Sequence, residues 1–146
     1  MAGWPPHKSI EESADVIETV LSAPETYAVV LKATGELVGC AGFNAGEAAS
    51  MPLAKDELEL GYWIGKPHWE RGYATEAARA VVEHGFSDLG LSGIYSCYFD
   101  GNVRSRNVLA KLGFSDAQVA CDNSRGEPGG TRIIHLLYLA LASWRR

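Results

Sequence analysis

The residues whose types and spacing could do chemistry gather between positions 57 and 75. Glu57-Leu58-Glu59-Leu60-Gly61-Tyr62-Trp63-Ile64 alternates, with Leu58, Leu60, Tyr62 and Ile64 on one face and Glu57, Glu59 and Trp63 on the other. A period of two belongs to a strand buried on at least one side, so the pattern sets two carboxylates and an indole on a common surface. Gly65, Lys66 and Pro67 interrupt the ladder. Arg71-Gly72-Tyr73-Ala74-Thr75 then opens a helical repeat carried by Ala78, Val82, Phe86 and Leu89 and closed by Gly90. The first amides of a helix lack intrahelical partners and sit at the positive end of its dipole. Glycine lets a bulky anion approach the backbone, and Arg71 adds a full charge. Such a turn suits a phosphate or pyrophosphate. An ordinary strand-to-helix connection with a glycine at its turn accounts for the same residues, and one glycine does not separate the two readings.

The remaining reactive side chains are scattered. Cys40, Cys97 and Cys121 are an odd, widely spaced set with no metal-type pairing. Cys40 and Cys97 fall in strand-like apolar runs, which reads as buried structural thiols. His68, His84 and His135 have no metal-ligand spacing and read as surface or structural residues.

Several elements must position these groups. Ser9 begins a helix with Glu12 three residues on, a capping-box arrangement. Ile10, Ala14, Ile17 and Leu21 form its apolar stripe, and Pro24 marks its end. Residues 27–31 and 37–43 read as strands joined through Ala33-Thr34-Gly35-Glu36, a hairpin signal. Gly39 and Gly42 suggest a bend or a close backbone approach. Residues 45–56 form a small-residue loop whose length hints at function or mobility, without a recognisable motif. Residues 93–99 are a strand rich in β-branched and aromatic residues, closed by Asp100-Gly101-Asn102. A short helix follows, starting at Ser105 or its neighbour and ending at Gly113. Ser115–Asp122 reads as a strand, 123–130 as a flexible loop and 131–142 as a closing strand. Strands first, then helices alternating with strands, predict a mixed α/β sheet.

At 146 residues the chain is expected to be one domain, 1–146, with 47% hydrophobic and 21% charged residues, ordinary for a soluble globular protein. No apolar run approaches the roughly 20 residues of a membrane span, and Met1–Pro6 lacks a signal-peptide layout. The expected setting is cytoplasmic, with no membrane partner. The net charge of −5 argues against a nucleic-acid partner. The charge is uneven: residues 1–60 carry −7 and residues 61–146 carry +2, so the half with the phosphate-type turn is the basic one. An acidic N-terminal half favours a cationic partner through its field, and solvated helix faces account for the same charges.

Leu60–Ile64, followed by Trp69-Glu70-Arg71-Gly72-Tyr73-Ala74-Thr75-Glu76-Ala77, resembles the acetyl-CoA signature of the GNAT acetyltransferases, and most closely their RimJ/RimL-like branch, which acetylates protein N-termini and small amines. Gly72 and Ala74 match the Gln/Arg-x-x-Gly-x-Gly/Ala pattern; Trp69 departs from it. A second block, Asn102-Val103-Arg104-Ser105 and Val108-Leu109-Ala110-Lys111-Leu112-Gly113-Phe114, resembles the family's Asn-x-x-Ser helix start and its Lys-x-Gly-Phe helix end. The likeness covers about residues 4–144. A Rossmann-type reading is disfavoured because Gly-x-Gly-x-x-Gly is absent and residues 25–43 read as a hairpin.

The resemblance implies the GNAT fold: a mostly antiparallel sheet, splayed at the cofactor cleft, here without the family's N-terminal strand and helix. It implies acetyl-CoA as donor and no metal. The pantetheine arm would lie between strands 57–64 and 93–99, paired with main-chain groups near Trp63 and Ile64. The pyrophosphate would sit on Arg71, Gly72, Tyr73, Ala74 and Thr75, with Asn102 on the cofactor arm and Ser105 capping the helix beside it. A primary amine, on a peptide N-terminus or a small molecule, would attack the thioester directly in a ternary complex. Glu59 is the first choice of general base and Glu57 the second; a solvent-facing strand carboxylate is the other reading of both. Many members carry a Tyr acid four residues before the Gly-Phe glycine, where this chain has Leu109. A catalytically silent acyl-CoA-binding module is the alternative function. A sheet edge left open without the N-terminal strand would suit a homodimer.

Overall fold

The computed structural model describes residues 7–122 and 132–144. Residues 1–6, 123–131 and 145–146 lie outside them, and with them the loop expected over 123–130. Six strands form one sheet: β1 (Thr26–Val30), β2 (Leu37–Asn44), β3 (Glu57–Ile64), β4 (Gly93–Phe99), β5 (Ser115–Asp122) and β6 (Arg132–Ala140). Their order is β1-β2-β3-β4-β6-β5, and every pairing is antiparallel except β3 with β4. The mixed α/β sheet read from the pattern is the architecture observed.

Helix α2 (Tyr73–Ser87) and helix α3 (Val103–Lys111) cover one face of this sheet. The alternation of β3 selects that face: Leu60 joins Ala78, Val82 and Phe86 of α2 and Leu109 of α3 in one core, with Leu58 and Tyr62 packed at its margin. Ile94, Leu109, Leu139 and Val82 are essentially free of solvent. Each such side chain contributes about 1.5–3 kcal/mol of transfer free energy, enough to fix β3 and α2 against each other. Gly39 is required by close approach, because a Cβ there would collide with the carbonyl oxygen of Trp63.

Three expectations need correction. The stripe of helix α1 (Ile10–Val16, continued in π-helical turns through Leu21) is not buried: Ile10 is 83% and Ile17 54% exposed. Amphipathic spacing gives a helix an apolar face but does not specify its partner. Leu89 is not part of α2; the amides of Asp88 and Leu89 both return to the His84 carbonyl, and the chain leaves the helix before Gly90 (φ 68°). The last strand ends at Ala140, after which Leu141–Trp144 form one turn, α4, whose Trp144 ring packs near Phe86.

The outer end of α2 is tied to the start of β1 by polar contacts. His84 Nδ1 lies 2.7 Å from Asp88 and its Nε2 2.8 Å from Glu25, whose other partner is the Tyr27 hydroxyl at 2.6 Å. The Asp88 and Glu25 carboxylates hold the His84 imidazolium, raising its pKa above the ordinary histidine range.

Candidate active site

Strands β3 and β4 pair over Glu57–Leu60 and Gly93–Ser96, and beyond that point no pairing continues. The last rung is reinforced by Ser96, whose hydroxyl donates to the Leu60 carbonyl at 2.9 Å. Gly61–Ile64 and Cys97–Phe99 then diverge. On its other edge β3 remains paired to β2: Ile64 opposes Gly39, and the Gly65 amide donates to the Val38 carbonyl. The alternation of an antiparallel ladder assigns Trp63's main-chain groups to β2 and turns those of Tyr62 and Ile64 toward the gap. Trp63 was expected to offer its backbone there and does not. The Ile64 carbonyl already accepts from the Trp69 indole at 2.6 Å.

Glu59 lies on the face opposite the helices, one residue before the gap. It is 2% exposed. A buried carboxylate is costly unless its oxygens are hydrogen-bonded. Here the Ser50 amide donates to Oε2, and the Cys97 thiol donates to Oε1 at 3.4 Å. Ser50 Oγ and Cys97 Sγ are 3.6 Å apart, closing a three-residue cluster. The solvent-facing reading of Glu59 is thus replaced by a held, enclosed carboxylate. Cys97 is likewise not an inert buried thiol: it is half-buried and bonded to that carboxylate. Glu57 sits two residues further from the gap, where the strands are still paired, and its Oε2 accepts from the Ala54 amide at 3.0 Å. Of the two candidates only Glu59 adjoins the gap.

From the gap a cleft of about 400 Å³ runs to the start of α2. Trp63, Ile64, Gly72, Tyr73, Ala74, Thr75, Asn102 and Ser105, all expected at a binding site, line it. Gly72 caps α2 with φ 83°, a left-handed conformation that needs glycine, so the amides that follow it are presented to the cleft. Trp63 Nε1 and His68 Nδ1 are buried in its walls without a hydrogen-bond partner among the described residues. Arg71 is exposed and does not line the cleft. The cations that do are Arg104 and Lys111 of α3, which the sequence pattern did not single out. Arg104 spans the cleft: its guanidinium lies 4.9 Å from the Trp69 ring centre and 3.2 Å from Glu70. A larger hollow of about 630 Å³ lies across the α3 start, among Tyr98, His135, Arg106 and Asp116. It is lined by no residue of β3 or α2, so the smaller cleft is the better candidate.

The cap expected of Ser105 is made by Asn102 instead. Asn102 Oδ1 caps the helix by accepting from the Ser105 amide at 3.2 Å. Ser105 instead faces β3, with Oγ 2.9 Å from the Tyr62 hydroxyl. Tyr62 therefore ties β3 to α3 beneath the cleft. Burial pushes its phenol up to about 12, the nearby Cys97 adding to the shift and the Ser105 bond opposing it. It stays protonated at any working pH. Leu109 is fully buried in the core. Among the described residues no group of three or more His, Cys, Asp or Glu is arranged to hold a metal ion, and no helix is long and apolar enough to cross a membrane.

Comparison with known proteins agrees with the fold. Residues 1–115 match the family model described as the acetyltransferase (GNAT) domain. The chain is 34% identical over 112 residues to the uncharacterized N-acetyltransferase YoaA of Bacillus subtilis, covering 73% of this chain and 60% of that protein. It thus spans about three fifths of the length of the curated relatives it first matches. A GCN5-related N-acetyltransferase from Brucella melitensis has the same fold, with TM-score 0.79 at 19% identity over 97% of this chain and 63% of that one. A Vibrio cholerae structure, provisionally described as a ribosomal-protein-serine acetyltransferase, superposes with TM-score 0.75 at 25% identity, covering 94% of this chain and 78% of that one.

Proposed function

The chain belongs to the GNAT acetyltransferase family, and on that premise we propose that it is an N-acetyltransferase moving the acetyl group of acetyl-CoA to a primary amine by direct attack in a ternary complex. The observation that carries the reading is the parting of β3 from β4 after Leu60 and Ser96, next to the buried Glu59. Main-chain groups of Tyr62 and Ile64 that lose their β4 partners there are suited to an extended amide-bearing arm. The amides after Gly72 suit the pyrophosphate. Arg104 and Lys111 supply the positive charge first assigned to Arg71.

Glu59 takes the proton of the attacking amine, directly or through one water. The amine nitrogen bonds to the thioester carbon, and a backbone N–H in the gap stabilises the developing oxyanion. The carbon–sulfur bond then breaks, with the electron pair leaving on sulfur. Leu109 supplies no proton, and a thiolate with a pKa within reach of neutrality leaves without one. A peptide N-terminus or small amine as acceptor, a RimJ/RimL-like identity and a cytoplasmic setting complete the proposal. The Vibrio cholerae neighbour supports the peptide acceptor.

Calorimetry with acetyl-CoA tests the cofactor site, beside Gly72→Glu and Gly72→Ala. Both variants strain the left-handed φ, but only the first adds bulk and negative charge. Binding kept by Gly72→Ala and abolished by Gly72→Glu is expected. No binding in the intact protein would end the enzyme reading, and turnover of no amine in a screen would leave a silent acyl-CoA-binding module.

A further inference from the structure

We propose that Cys97 is a positioning residue for Glu59, an inference that rests on the reading of Glu59 as base. Cys97 is the first β4 residue past the last β3–β4 pair, so its half-buried thiol stands where the strands part. The contact to Oε1 on one side and the Ser50 amide on Oε2 fix the carboxylate between two donors. Ser50 belongs to the loop 45–56, which this bond ties to the 2%-exposed Glu59. The Ser50 hydroxyl beside Cys97 completes the ring. Tyr95 of β4 and Asn44 of β2 are its neighbours in register, and the phenol of Tyr62 lies near the thiol. A carboxylate held at both oxygens keeps one orientation; freed at Oε1 it can turn from the gap. The thiol thus acts through Glu59 and forms no covalent bond in the reaction. The same contact slows the thiol toward electrophiles, because an adjacent carboxylate disfavours the thiolate that reacts.

Two experiments test this, one of them independent of turnover. Peptide-level mass spectrometry follows alkylation of Cys97 by iodoacetamide in the full chain and in Glu59→Gln, with exposed Cys121 as internal reference. Cys97 should react about threefold or more faster in Glu59→Gln while Cys121 is unchanged; equal Cys97 rates overturn the contact. In steady-state kinetics, Cys97→Ala should keep the acetyl-CoA Kd within about twofold but lower kcat by about tenfold and move the acid limb of the kcat/KM profile to higher pH. Cys97→Ser, which retains a donor, should restore both. An unchanged Cys97→Ala profile, or a serine variant as impaired as the alanine one, overturns the positioning role. Wild-type kcat in Glu59→Gln would instead remove the reading of Glu59 as base, and the inference with it.

Discussion

Glu59 combines near-complete burial with a full set of donors, which is how a carboxylate is kept fixed in a site that excludes water. Replacing it with Gln keeps the shape and removes the basicity. We expect Glu59→Gln to lower kcat by about 10²-fold or more with an unchanged acetyl-CoA Kd, read by steady-state kinetics and calorimetry; a loss under threefold would move the base elsewhere. Leu109 calls for the opposite kind of test. A tyrosine there would restore the residue that many relatives carry, but the position is enclosed by core side chains. Leu109→Tyr is therefore expected to cost about 1–3 kcal/mol in urea unfolding, without a gain in kcat. At this scale the sequence pointed to many of the residues that line the cleft and to less of what they contact. Asn102 takes the cap expected of Ser105 because either can cap a helix, and the Ser105 hydroxyl is engaged by Tyr62 of β3.

At the scale of elements, α2 is held to the sheet by packing along its length and by His84 at its outer end. The His84 pKa is raised by Asp88 and Glu25, so this link stabilises the fold fully below the unfolded histidine value, about 6.5, and fades as pH rises through the higher folded value. Between about pH 6 and 8 the thermal midpoint of the wild type should fall more than that of His84→Gln; parallel curves would show that the link contributes nothing. Nearly every element was legible from its pattern. The period-two run marked β3, β-branched and aromatic residues marked β4, the spacing of Ala78, Val82 and Phe86 marked α2, and Gly113 (φ 89°) marked the end of α3. The length of the loop 45–56 hinted at function or mobility, but its contact with Glu59 was not legible, because it is made by a Ser50 backbone amide, and every residue but proline has one. The Arg104 bridge to Trp69 and Glu70 was hidden for a related reason: it joins residues distant in sequence across a cleft whose shape no local pattern encodes.

For the whole molecule, the sheet is two antiparallel halves, β1-β2-β3 and β4-β6-β5, joined along four residue pairs. A ligand seated in the gap would touch both halves. At 100 times its Kd it should stabilise the fold by about 2.7 kcal/mol, a rise in the midpoint of roughly 5–10 °C for a chain of this size. Scanning calorimetry should find the rise in the wild type and in Cys97→Ala, whose defect lies in the chemistry, and not in Gly72→Glu. A rise in all three would place the ligand elsewhere.

The short junction also bears on the order in which the native state is reached. Within the half β1-β2-β3, neighbouring strands follow one another along the chain, whereas the junction must bring together residues such as Leu60 and Ser96 from 36 positions apart, a separation like that across the β4–β6 ladder. Pairings with that loop-closure entropy tend to be made late, after local ones. A molecule bridging a late contact acts on the barrier to escape from the native state and leaves the barrier to reaching it unchanged. The donor should therefore lengthen the native state's lifetime without hastening its formation.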